Sequence, residues 1–527
     1  MIKTIDDQDY QNKIKQLEEE NSKLRLQIEE LSTKLEWLLE QVKLSKHKQF
    51  GSSSEQTPSE QLSLFNEAEA EAKPDIPEPA IEEITYKRKK KTGQREELFK
   101  DIPVEVIEYK LPEEEQICPC CNGALHEMST ETRRELEYIP AEFKVTEHVS
   151  YIYSCRNCEK NDIKTPIVKA ASPRPALPGS FASASLISHV MTEKYLKGLP
   201  LDRQQQEWDR RGYAISKQTM SNWLIESANR WLEPVYERMH EHLVKRDILH
   251  ADESTLQVLK EPGREAETKS FMWLYRSGRE SPHIVLYDYQ TTRSGKHPRN
   301  FLNNFKGYLH SDGYDGYNGM PGITRIGCWS HARRGFTDAI KAMPKIKKEG
   351  ITTAEEGLAF CNKLFSIERE LHDLSSEERY VKRSELSKPV LESFKAWLQY
   401  QFPRVLPKSA LGSAITYCRN QWKYLEGFLL DGRLELDNNR AERSMKPFVI
   451  GRKGWLFCNT PRGARSSAII YSIVETAKEN NLIPYEYIKH LLKKLPNTDI
   501  ADKTCLDEVM PWSDTLPEEC RSKEPPD

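Results

Sequence analysis

The chain has 527 residues, which is more than one hydrophobic core accommodates, so several domains are expected. Its formal net charge of −3 gives no overall sign of a polyanionic partner, so charge has to be examined segment by segment. The absence of a long apolar run and of a signal-like N-terminus argues against a membrane protein and predicts a cytoplasmic one. The 11 cysteines fit metal binding or burial better than a disulfide framework.

Segment 8–45 carries a heptad pattern, in which apolar residues recur at alternating steps of four and three. The series consists of Tyr10, Ile14, Leu17, Leu24, Ile28, Leu31, Leu35, Leu38 and Val42. Asn21 fills the one missing position, and a single Asn in such a seam fixes register and favours a parallel dimer. We therefore predict a leucine-zipper-like coiled coil that joins two chains into a parallel homo-oligomer. The alternative is an amphipathic helix packed on its own domain.

Segment 46–100 is predicted to be a linker that contains a basic run. Residues 67–83 are rich in Glu, Ala and Pro and have no aromatic side chain, a composition typical of solvated chain. Five consecutive cations follow, namely Lys87, Arg88, Lys89, Lys90 and Lys91. Such a run can bind DNA phosphates through counterion release, and the alternative is a solvated stretch beside the acidic linker.

Segment 101–170 contains two Cys-x-x-Cys pairs. The pairs are Cys118 with Cys121 and Cys155 with Cys158. Residues 134–153 alternate like the strands of a hairpin, which would bring the two pairs together. Four thiolates complete the tetrahedral shell of a structural Zn²⁺, so we predict a small zinc-ribbon-like module. Cys120 lies inside the first pair as a competing thiol, and buried or redox-active cysteines are the alternative.

Segment 174–240 has a helical pattern, with a break at Gly212 and a cap-like Ser216 before the next helix. The order of helix, glycine-containing turn and helix is compatible with helix-turn-helix DNA binding, with Lys217 as a candidate contact. An ordinary helical pair that packs against the neighbouring domain fits the same spacing.

Segment 245–475 is predicted to be an α/β domain. The predicted strands lie at residues 248–250, 271–275, 282–289, around 308 and at 323–326, with a helix near 297–305. Asp252 and Asp312 each follow a short apolar run, which places both at strand ends. Strand alternation directs Glu253 away from Asp252, and Asp315 follows a glycine turn, so both are predicted to be surface or turn acids.

The motif CWSHARRGF at residues 328–336 is predicted to start a helix. His331 and Arg334 are three residues apart and therefore lie on one face of that helix. Together with Arg333 they are candidate DNA contacts. Considered alone, a single His on a helix is more often a packed or surface residue than a catalytic one.

Two further segments have a helical pattern. Residues from about 353 to 430 are predicted to be a helical insertion, which explains the long gap between Asp312 and Glu442. Residues 476–527 are predicted to form a C-terminal helix and a polar tail that is mostly loose from Pro496 onward.

Residues 440–465 form a basic cluster around one acid, Glu442, in a segment that favours a helix. The seven cations are Arg440, Arg443, Lys446, Arg452, Lys453, Arg462 and Arg465, of which the first five are candidate DNA contacts. In a chain that is acidic overall, a lone carboxylate among cations indicates a metal ligand in a phosphate-binding surface. A salt-bridge network is the alternative. The interleaved Phe448, Trp455 and Phe457 could stack on unpaired bases or form the core of a β-segment.

The three carboxylates Asp252, Asp312 and Glu442 therefore come from separate segments that a sheet and a helix can bring together. Mg²⁺ binds carboxylate oxygens, and two such ions can clamp the attacking and leaving oxygens of a phosphodiester. This combination points toward nucleic acid as the substrate.

The stretches HADES, SDGYDGYN, GCWSHARRGF and DNNRAERSMKPFVIGRKGWLF occur in this order and resemble the catalytic core of the transposases of insertion sequence family 66. The resemblance extends to the zipper and the cysteine module and covers about Ile14 to Trp512. It implies a multidomain α+β/α protein whose ribonuclease H-like α/β catalytic domain contains the helical insertion. It also implies an Asp-Asp-Glu triad made of Asp252, Asp312 and Glu442.

The resemblance further implies metal-dependent cleavage of DNA at the ends of an insertion sequence and strand transfer into target DNA. Two Mg²⁺ or Mn²⁺ ions would serve this chemistry, and no covalent enzyme intermediate is needed. The family places His331 or Arg333 near a phosphate and has small accessory proteins of the same element as partners. We expect a bacterial protein of the cytoplasm that is associated with the nucleoid.

Other interpretations differ in what they require of the triad. A zinc-containing dimeric DNA-binding regulator with a decayed nuclease centre does not require it, yet all three acids are present. A coiled-coil scaffold does not require a basic cluster around a lone Glu. A nuclease without strand transfer would use the same centre.

Overall fold

The computed structural model describes residues 143–149, 151–154, 167–169, 172–343 and 350–523. These residues fall into two compact units, a small one within 72–172 and a larger one that contains residues 173–523. In the small unit, strands β1 (Ile152–Ser154) and β2 (Ile167–Lys169) form an antiparallel pair. The predicted coiled coil, the basic run and the four predicted zinc ligands lie outside the described residues.

The larger unit opens with four helices, which form the region predicted to be helical. They are α1 (Ala184–Tyr195), α2 (Leu201–Arg210), α3 (Lys217–Ser227) and α4 (Glu233–Leu243), with a π-helical turn at Ala228–Leu232. Gly212 adopts φ +84° in the turn before α3, a conformation that favours glycine. The Ser216 hydroxyl accepts the Thr219 N–H at 3.1 Å and caps α3. The predicted break and cap are therefore confirmed.

A five-stranded mixed sheet forms the centre of the larger unit. Its strands are β3 (Ile248–Gln257), β4 (Lys269–Ser277), β5 (Val285–Gln290), β6 (Gly307–His310) and β7 (Ile323–Ile326), with the short helix α5 (Lys296–Phe301) between β5 and β6. The spatial order is β5-β4-β3-β6-β7. Strands β3, β4 and β5 are antiparallel neighbours, whereas β6 is parallel to β3 and β7 is parallel to β6. Counted from the first strand of this sheet, the order is therefore 3-2-1-4-5.

Eight helices follow β7 in the described part of the chain. They are α6 (Trp329–Ala342), α7 (Thr353–Glu370), α8 (Ser376–Gln401), α9 (Ala410–Leu425), α10 (Asn439–Trp455), α11 (Pro461–Glu479), α12 (Pro484–Lys494) and α13 (Lys503–Asp507). None of the described helices is long and apolar enough to cross a membrane.

Helices α7, α8 and α9 occupy the segment predicted to be an insertion. Capping boxes start α7 at Thr352 and α8 at Ser375. The buried Arg383 of α8 makes two hydrogen bonds to Glu368 of α7, at 2.8 and 2.7 Å. It also donates to the carbonyls of Phe428 and Leu434, so one guanidinium joins the insertion to the chain that leads into α10.

Helix α11 covers the outer edge of β5 with hydroxyl groups. The Val285 N–H donates to Thr476 Oγ1 at 3.0 Å, and that hydroxyl donates back to the Val285 carbonyl at 2.9 Å. The Tyr287 N–H donates to Ser472 Oγ at 2.8 Å. Because an uncovered edge strand can pair with another chain, these side chains both close the sheet and fix α11 on it. The Tyr287 hydroxyl donates to the Ser444 carbonyl, which fixes α10 on the same strand.

The structure corrects the expected positions of Asp252 and of the aromatic residues around 450. Asp252 lies in the middle of β3 rather than at its end, because β4 pairs with β3 from Leu249 to Gln257. The segment of Phe448 and Trp455 belongs to helix α10 and is not a β-segment. Phe448 is fully buried.

The C-terminal tail also differs from the prediction that it is mostly loose. Beyond Pro496, the side chains of Leu506, Val509 and Met510 are buried, so the tail packs on the unit instead of being loose. Asp507 receives two hydrogen bonds from Arg238 of α4, both at 2.7 Å, which explains why this polar segment stays attached.

Candidate active site

Each of the two aspartates lies two residues beyond the last register pair of two neighbouring parallel strands, Asp252 still within β3 and Asp312 in the loop after β6. His250 of β3 is the register partner of His310 of β6, and Asp252 and Asp312 each follow two residues later. Asp252 Oδ1 accepts the Glu253 N–H at 2.8 Å, and Asp312 Oδ1 accepts the Tyr314 N–H at 2.9 Å. Each carboxylate is therefore held at one oxygen by the backbone.

Glu442 lies in the first turn of α10 and is 8 % exposed. Neither of its carboxylate oxygens has a hydrogen-bond partner among the described residues. Burial is the main reason why its pKa is raised from 4.5 to about 8, with opposing charge from Arg334 and further repulsion from Asp437 and Asp312. A buried carboxyl group without donors is costly to ionise, so this side chain is suited to a cation that it can bind.

The three acids lie close enough to perturb one another. The pKa of Asp252 is raised well above its usual value, first by burial and then by the negative charges of Glu253, Glu442 and Asp312. Negative charges that converge in this way and raise the pKa of Asp252 and Glu442 are what a divalent cation would neutralise. The structure thus brings together the three acids that the sequence indicated, one from β3, one after β6 and one from α10.

Glu253 was predicted to be a surface acid, and this is wrong. Its side chain is only 2 % exposed and its pKa is raised by burial and by Asp312. Because neighbouring residues of a paired strand alternate between the two faces of the sheet, Glu253 lies on the face of β3 opposite to Asp252, where Tyr317 from the loop after β6 contacts it. Tyr317 donates to Glu253 Oε2 at 2.5 Å and Arg293 donates to Oε1 at 2.8 Å. Both oxygens are therefore engaged by protein groups, unlike those of Glu442. Asp315 is exposed, as predicted.

His331 and Arg334 face the acids from the start of α6. His331 Nδ1 lies 3.7 Å from Glu442 Oε1, and the imidazole is 23 % exposed. Burial and the charge of Arg334 lower the pKa of His331 to about 4, so the ring is neutral near pH 7. Arg334 has two donor atoms, Nε and Nη2, that are buried without a hydrogen-bond partner among the described residues. The predicted common face of these two residues is therefore confirmed.

Arg333 lies on the other side of α6. Its Nε donates to Asn362 of α7 at 2.7 Å, and its guanidinium lies over the Phe365 ring, 5.4 Å from the centroid. This cation holds the helical insertion and is not brought to the acids.

The candidate DNA contacts in the basic cluster divide into exposed and engaged residues. Arg443 and Lys453 are exposed. Arg440 bonds to Glu435 at 3.0 Å, and Arg452 donates to the Thr255 carbonyl of β3.

Ion pairs also engage three further cations that the sequence analysis singled out, namely Arg462, Arg465 and Lys217. Arg462 pairs with Glu226 and Arg465 pairs with Glu233, so acids from other segments satisfy part of the cluster. Lys217 is exposed at the start of α3 and lies 2.8 Å from Asp202. Lys446 is partly buried, and burial lowers its pKa.

Sequence reasoning missed the residues that support the acids. The rings of His250 and His310 stack at 4.4 Å and are both buried. Asn438 Oδ1 lies 3.0 Å from His250 Nδ1, and Asn438 Nδ2 donates to the Ala251 carbonyl at 2.8 Å. Asn438 precedes α10, so it connects the strand of Asp252 to the helix of Glu442. The signal was present in the sequence, because both aspartates occur in a His-x-Asp motif and Asn438 stands where the helix starts.

Four family models match the chain. They are the Transposase IS66 family at residues 179–466, the zinc-finger binding domain of transposase IS66 at 115–159, the Transposase C of IS166 homeodomain at 37–107 and the IS66 C-terminal element at 472–512. The zinc-finger match contains all four predicted zinc ligands.

Similar proteins occur in Sinorhizobium fredii. The uncharacterized protein y4hP is 30 % identical over 415 residues, which cover 75 % of this chain and 73 % of the relative. The uncharacterized protein y4jD is also 30 % identical over 415 residues, which cover 76 % of this chain and 78 % of the relative.

Proposed function

The chain belongs to the IS66 family of transposases, and we propose that it cleaves DNA at the ends of an insertion sequence and joins those ends to target DNA. Asp252, Asp312 and Glu442 would be the ligands of two Mg²⁺ or Mn²⁺ ions. The observation that carries this proposal is the convergence of these three acids: Glu442 is buried without a hydrogen-bond partner among the described residues, and the charges of Glu442 and Asp312 raise the pKa of the half-buried Asp252.

The topology of the sheet supports a ribonuclease H-like catalytic domain. The strand order 3-2-1-4-5, with the first three strands antiparallel and the last two parallel to the first, agrees with the order expected for that fold. In this arrangement the first and fourth strands are neighbours, so their acids converge. A helix that follows the insertion then supplies the third acid.

The donor set fits a hard divalent cation. All three proposed ligands are carboxylates, which Mg²⁺ and Mn²⁺ prefer, and Glu442 offers two unused oxygens. His331 is neutral near pH 7 and so adds no positive charge that would repel a metal ion. When bound, such ions activate the attacking water or 3′-hydroxyl and stabilise the leaving oxygen.

Arg334 is the residue best placed to bind the scissile phosphate. Its unused Nε and Nη2 donors are buried beside Glu442, and a guanidinium can donate two hydrogen bonds to the non-bridging oxygens of a phosphate. Exposed Arg443 and Lys453 extend the positive charge along α10 and would contact the flanking DNA backbone. The exposed first turn of α3, with Lys217, is a further candidate DNA contact.

The N-terminal segments are proposed to assemble the complex. Cys118, Cys121, Cys155 and Cys158 would bind a structural Zn²⁺, which the zinc-finger family match supports. The heptad seam at 8–45 would hold two chains together, so that two element ends are paired. Small accessory proteins of the same element remain proposed partners.

The test is cleavage and strand transfer by the purified full chain on a duplex that carries an element end. We expect joined product with Mg²⁺ and none with Asp252→Asn, Asp312→Asn or Glu442→Gln. Asp315→Asn is the matched control, because this acid is exposed in the same loop as Asp312. If the native chain binds the duplex but never cuts it, even with a cell extract that supplies accessory proteins, the DNA-binding regulator becomes the better interpretation.

A further inference from the structure

A second group of metal-binding side chains overlaps the carboxylate cluster. Cys328, His331 and Glu442 place one ligand atom each within 4.8 Å of one another. Cys328 is fully buried at the N-cap of α6, His331 lies in the first turn of the same helix, and Glu442 lies in the first turn of α10. Within the described part of the chain, no other group of three or more His, Cys, Asp or Glu side chains has its ligand atoms this close together.

The ligand types differ from those of the proposed magnesium centre. Thiolate and imidazole select Zn²⁺ and similar thiophilic ions, whereas Mg²⁺ prefers oxygen ligands only. From the bond lengths typical of zinc, neighbouring ligand atoms in a tetrahedral site are about 3.3–3.7 Å apart. His331 Nδ1 and Glu442 Oε1 are already 3.7 Å apart, so closing the shell requires a movement of about 1 Å at most.

Two features of the site indicate that it can bind a ligand. Both oxygens of Glu442 are buried without a hydrogen-bond partner among the described residues, so a cation does not have to displace an existing contact there. The Asn438 N–H donates to Cys328 Sγ at 3.2 Å, which holds the sulfur in a fixed position beside the other two groups. Three protein ligands leave the fourth tetrahedral position open to solvent or substrate.

We propose that Cys328, His331 and Glu442 form a binding site for a thiophilic divalent ion such as Zn²⁺ or Cd²⁺, and that its occupation withdraws Glu442 from the magnesium centre and stops DNA cleavage. The first half of this proposal stands on the three side chains alone. The second half rests on the proposed function, because only a catalytic Glu442 makes the two sites mutually exclusive.

The first experiment measures metal binding and does not depend on activity. Full-length protein is loaded with one equivalent of Zn²⁺ per chain for the four N-terminal cysteines and is then titrated with Cd²⁺, and the ultraviolet absorption of cadmium–thiolate bonds is recorded. We expect one additional Cd²⁺ per chain in the native protein and in Cys520→Ala, which removes another fully buried cysteine. Cys328→Ala should lose that ion or bind it at least about 100-fold more weakly, because a direct ligand contributes more than the roughly 10- to 100-fold effect of its supporting contacts.

A second variant tests whether a folding defect explains the loss of Cd²⁺ binding, because Cys328→Ala also removes the acceptor of the Asn438 N–H. His331→Ala changes a partly exposed side chain and should weaken Cd²⁺ binding while it leaves the Cys328 sulfur in place. Equal Cd²⁺ binding by native protein and both variants overturns the proposed site.

The second experiment measures Mg²⁺-dependent cleavage with increasing Zn²⁺, each variant being referred to its own rate without Zn²⁺. The native enzyme and Cys520→Ala should lose at least about tenfold in rate under conditions where Cys328→Ala loses less than about twofold. If Cd²⁺ binds through Cys328 but the active native enzyme resists Zn²⁺, the inhibitory role is wrong. If Cd²⁺ binds in this way and the native protein never cleaves DNA, the metal site stands and the proposed transposase function falls.

Discussion

Glu442→Gln should make the metal-free protein more stable at alkaline pH while it abolishes catalysis. The pKa of Glu442 is raised from 4.5 to about 8, so the folded state keeps a proton that the unfolded state releases in this range. The stabilisation that the protonated Glu442 side chain gives the folded state is therefore complete below about pH 4.5, and it is lost as the pH rises through about 8. Glutamine has the same shape and cannot ionise, so the variant lacks this loss.

The magnitude follows from the pKa of Glu442. Each pH unit between the two values costs about 1.36 kcal/mol, and the slope decreases near the folded pKa of about 8, so the native protein loses roughly 2 kcal/mol between pH 6 and 8. For a unit of roughly 350 residues this corresponds to a fall of about 3 °C in Tm. The relevant quantity is the difference between native protein and Glu442→Gln, because other groups titrate in both proteins.

The assay is thermal unfolding followed by circular dichroism at pH 6 and pH 8 in the presence of a chelator of Mg²⁺ that leaves zinc bound. Glu426→Gln, at an exposed position, is the matched control and should behave like the native protein. Added Mg²⁺ at pH 8 should raise the Tm of the native protein and leave that of Glu442→Gln unchanged. Equal pH dependence of Tm in the native protein and Glu442→Gln would refute the reasoning.

The remaining predictions concern other parts of the proposed mechanism. Asn438→Ala should lower the free energy of unfolding by about 2 to 5 kcal/mol in urea titrations, because it leaves two buried groups without their partner; a loss below about 1 kcal/mol would contradict its role. Arg334→Ala should slow cleavage about 100-fold and shift the pH profile upward, since this cation opposes the raised pKa of Glu442; an unchanged profile would remove it from the site. Arg443→Ala should reduce the slope of log affinity for DNA against log salt by about 1, whereas an unchanged slope would exclude a phosphate contact. Cys118→Ser should abolish zinc in the purified protein as measured by atomic absorption and Cys120→Ser should retain it, and the reverse result would reassign the ligands.

Most of the candidate site could be predicted because its acids follow recognisable local patterns. Asp252 and Asp312 come after apolar runs that end at His250 and His310, and these runs are the parallel part of the sheet. Glu442 could be placed at the start of a helix from the sequence around Asn438. These features depend on short stretches of chain, so the sequence reveals them without a structure.

The parts that were mispredicted depend on contacts between distant segments. Strand β3 continues beyond its apolar run because β4 pairs along it, which the polar residues after Asp252 do not signal. Glu253 points away from Asp252 as expected, yet Tyr317 from a later loop buries it. Helix α10 continues past Pro447, and the next residue of the helix, Phe448, is fully buried.

The basic cluster shows the same limitation. Its local sequence lacks acids, and this favoured a phosphate-binding surface over salt bridges. Glu435, Glu226 and Glu233, which come from outside the cluster, nevertheless pair with three of its arginines. The charge available to DNA is therefore smaller than the sequence suggests, although Arg443 and Lys453 are exposed, as are the ion-paired Arg462 and Arg465.

The most direct test of a single carboxylate metal centre is cleavage of the polypeptide by hydroxyl radicals from Fe²⁺ that replaces Mg²⁺ on the end-bound protein. Cuts should occur beside Asp252, Asp312 and Glu442, should disappear when excess Mg²⁺ is added, and should weaken together in Asp252→Asn. Cuts beside Glu442 and Cys328 alone, with none beside either aspartate, would show that the three acids do not hold a common metal ion.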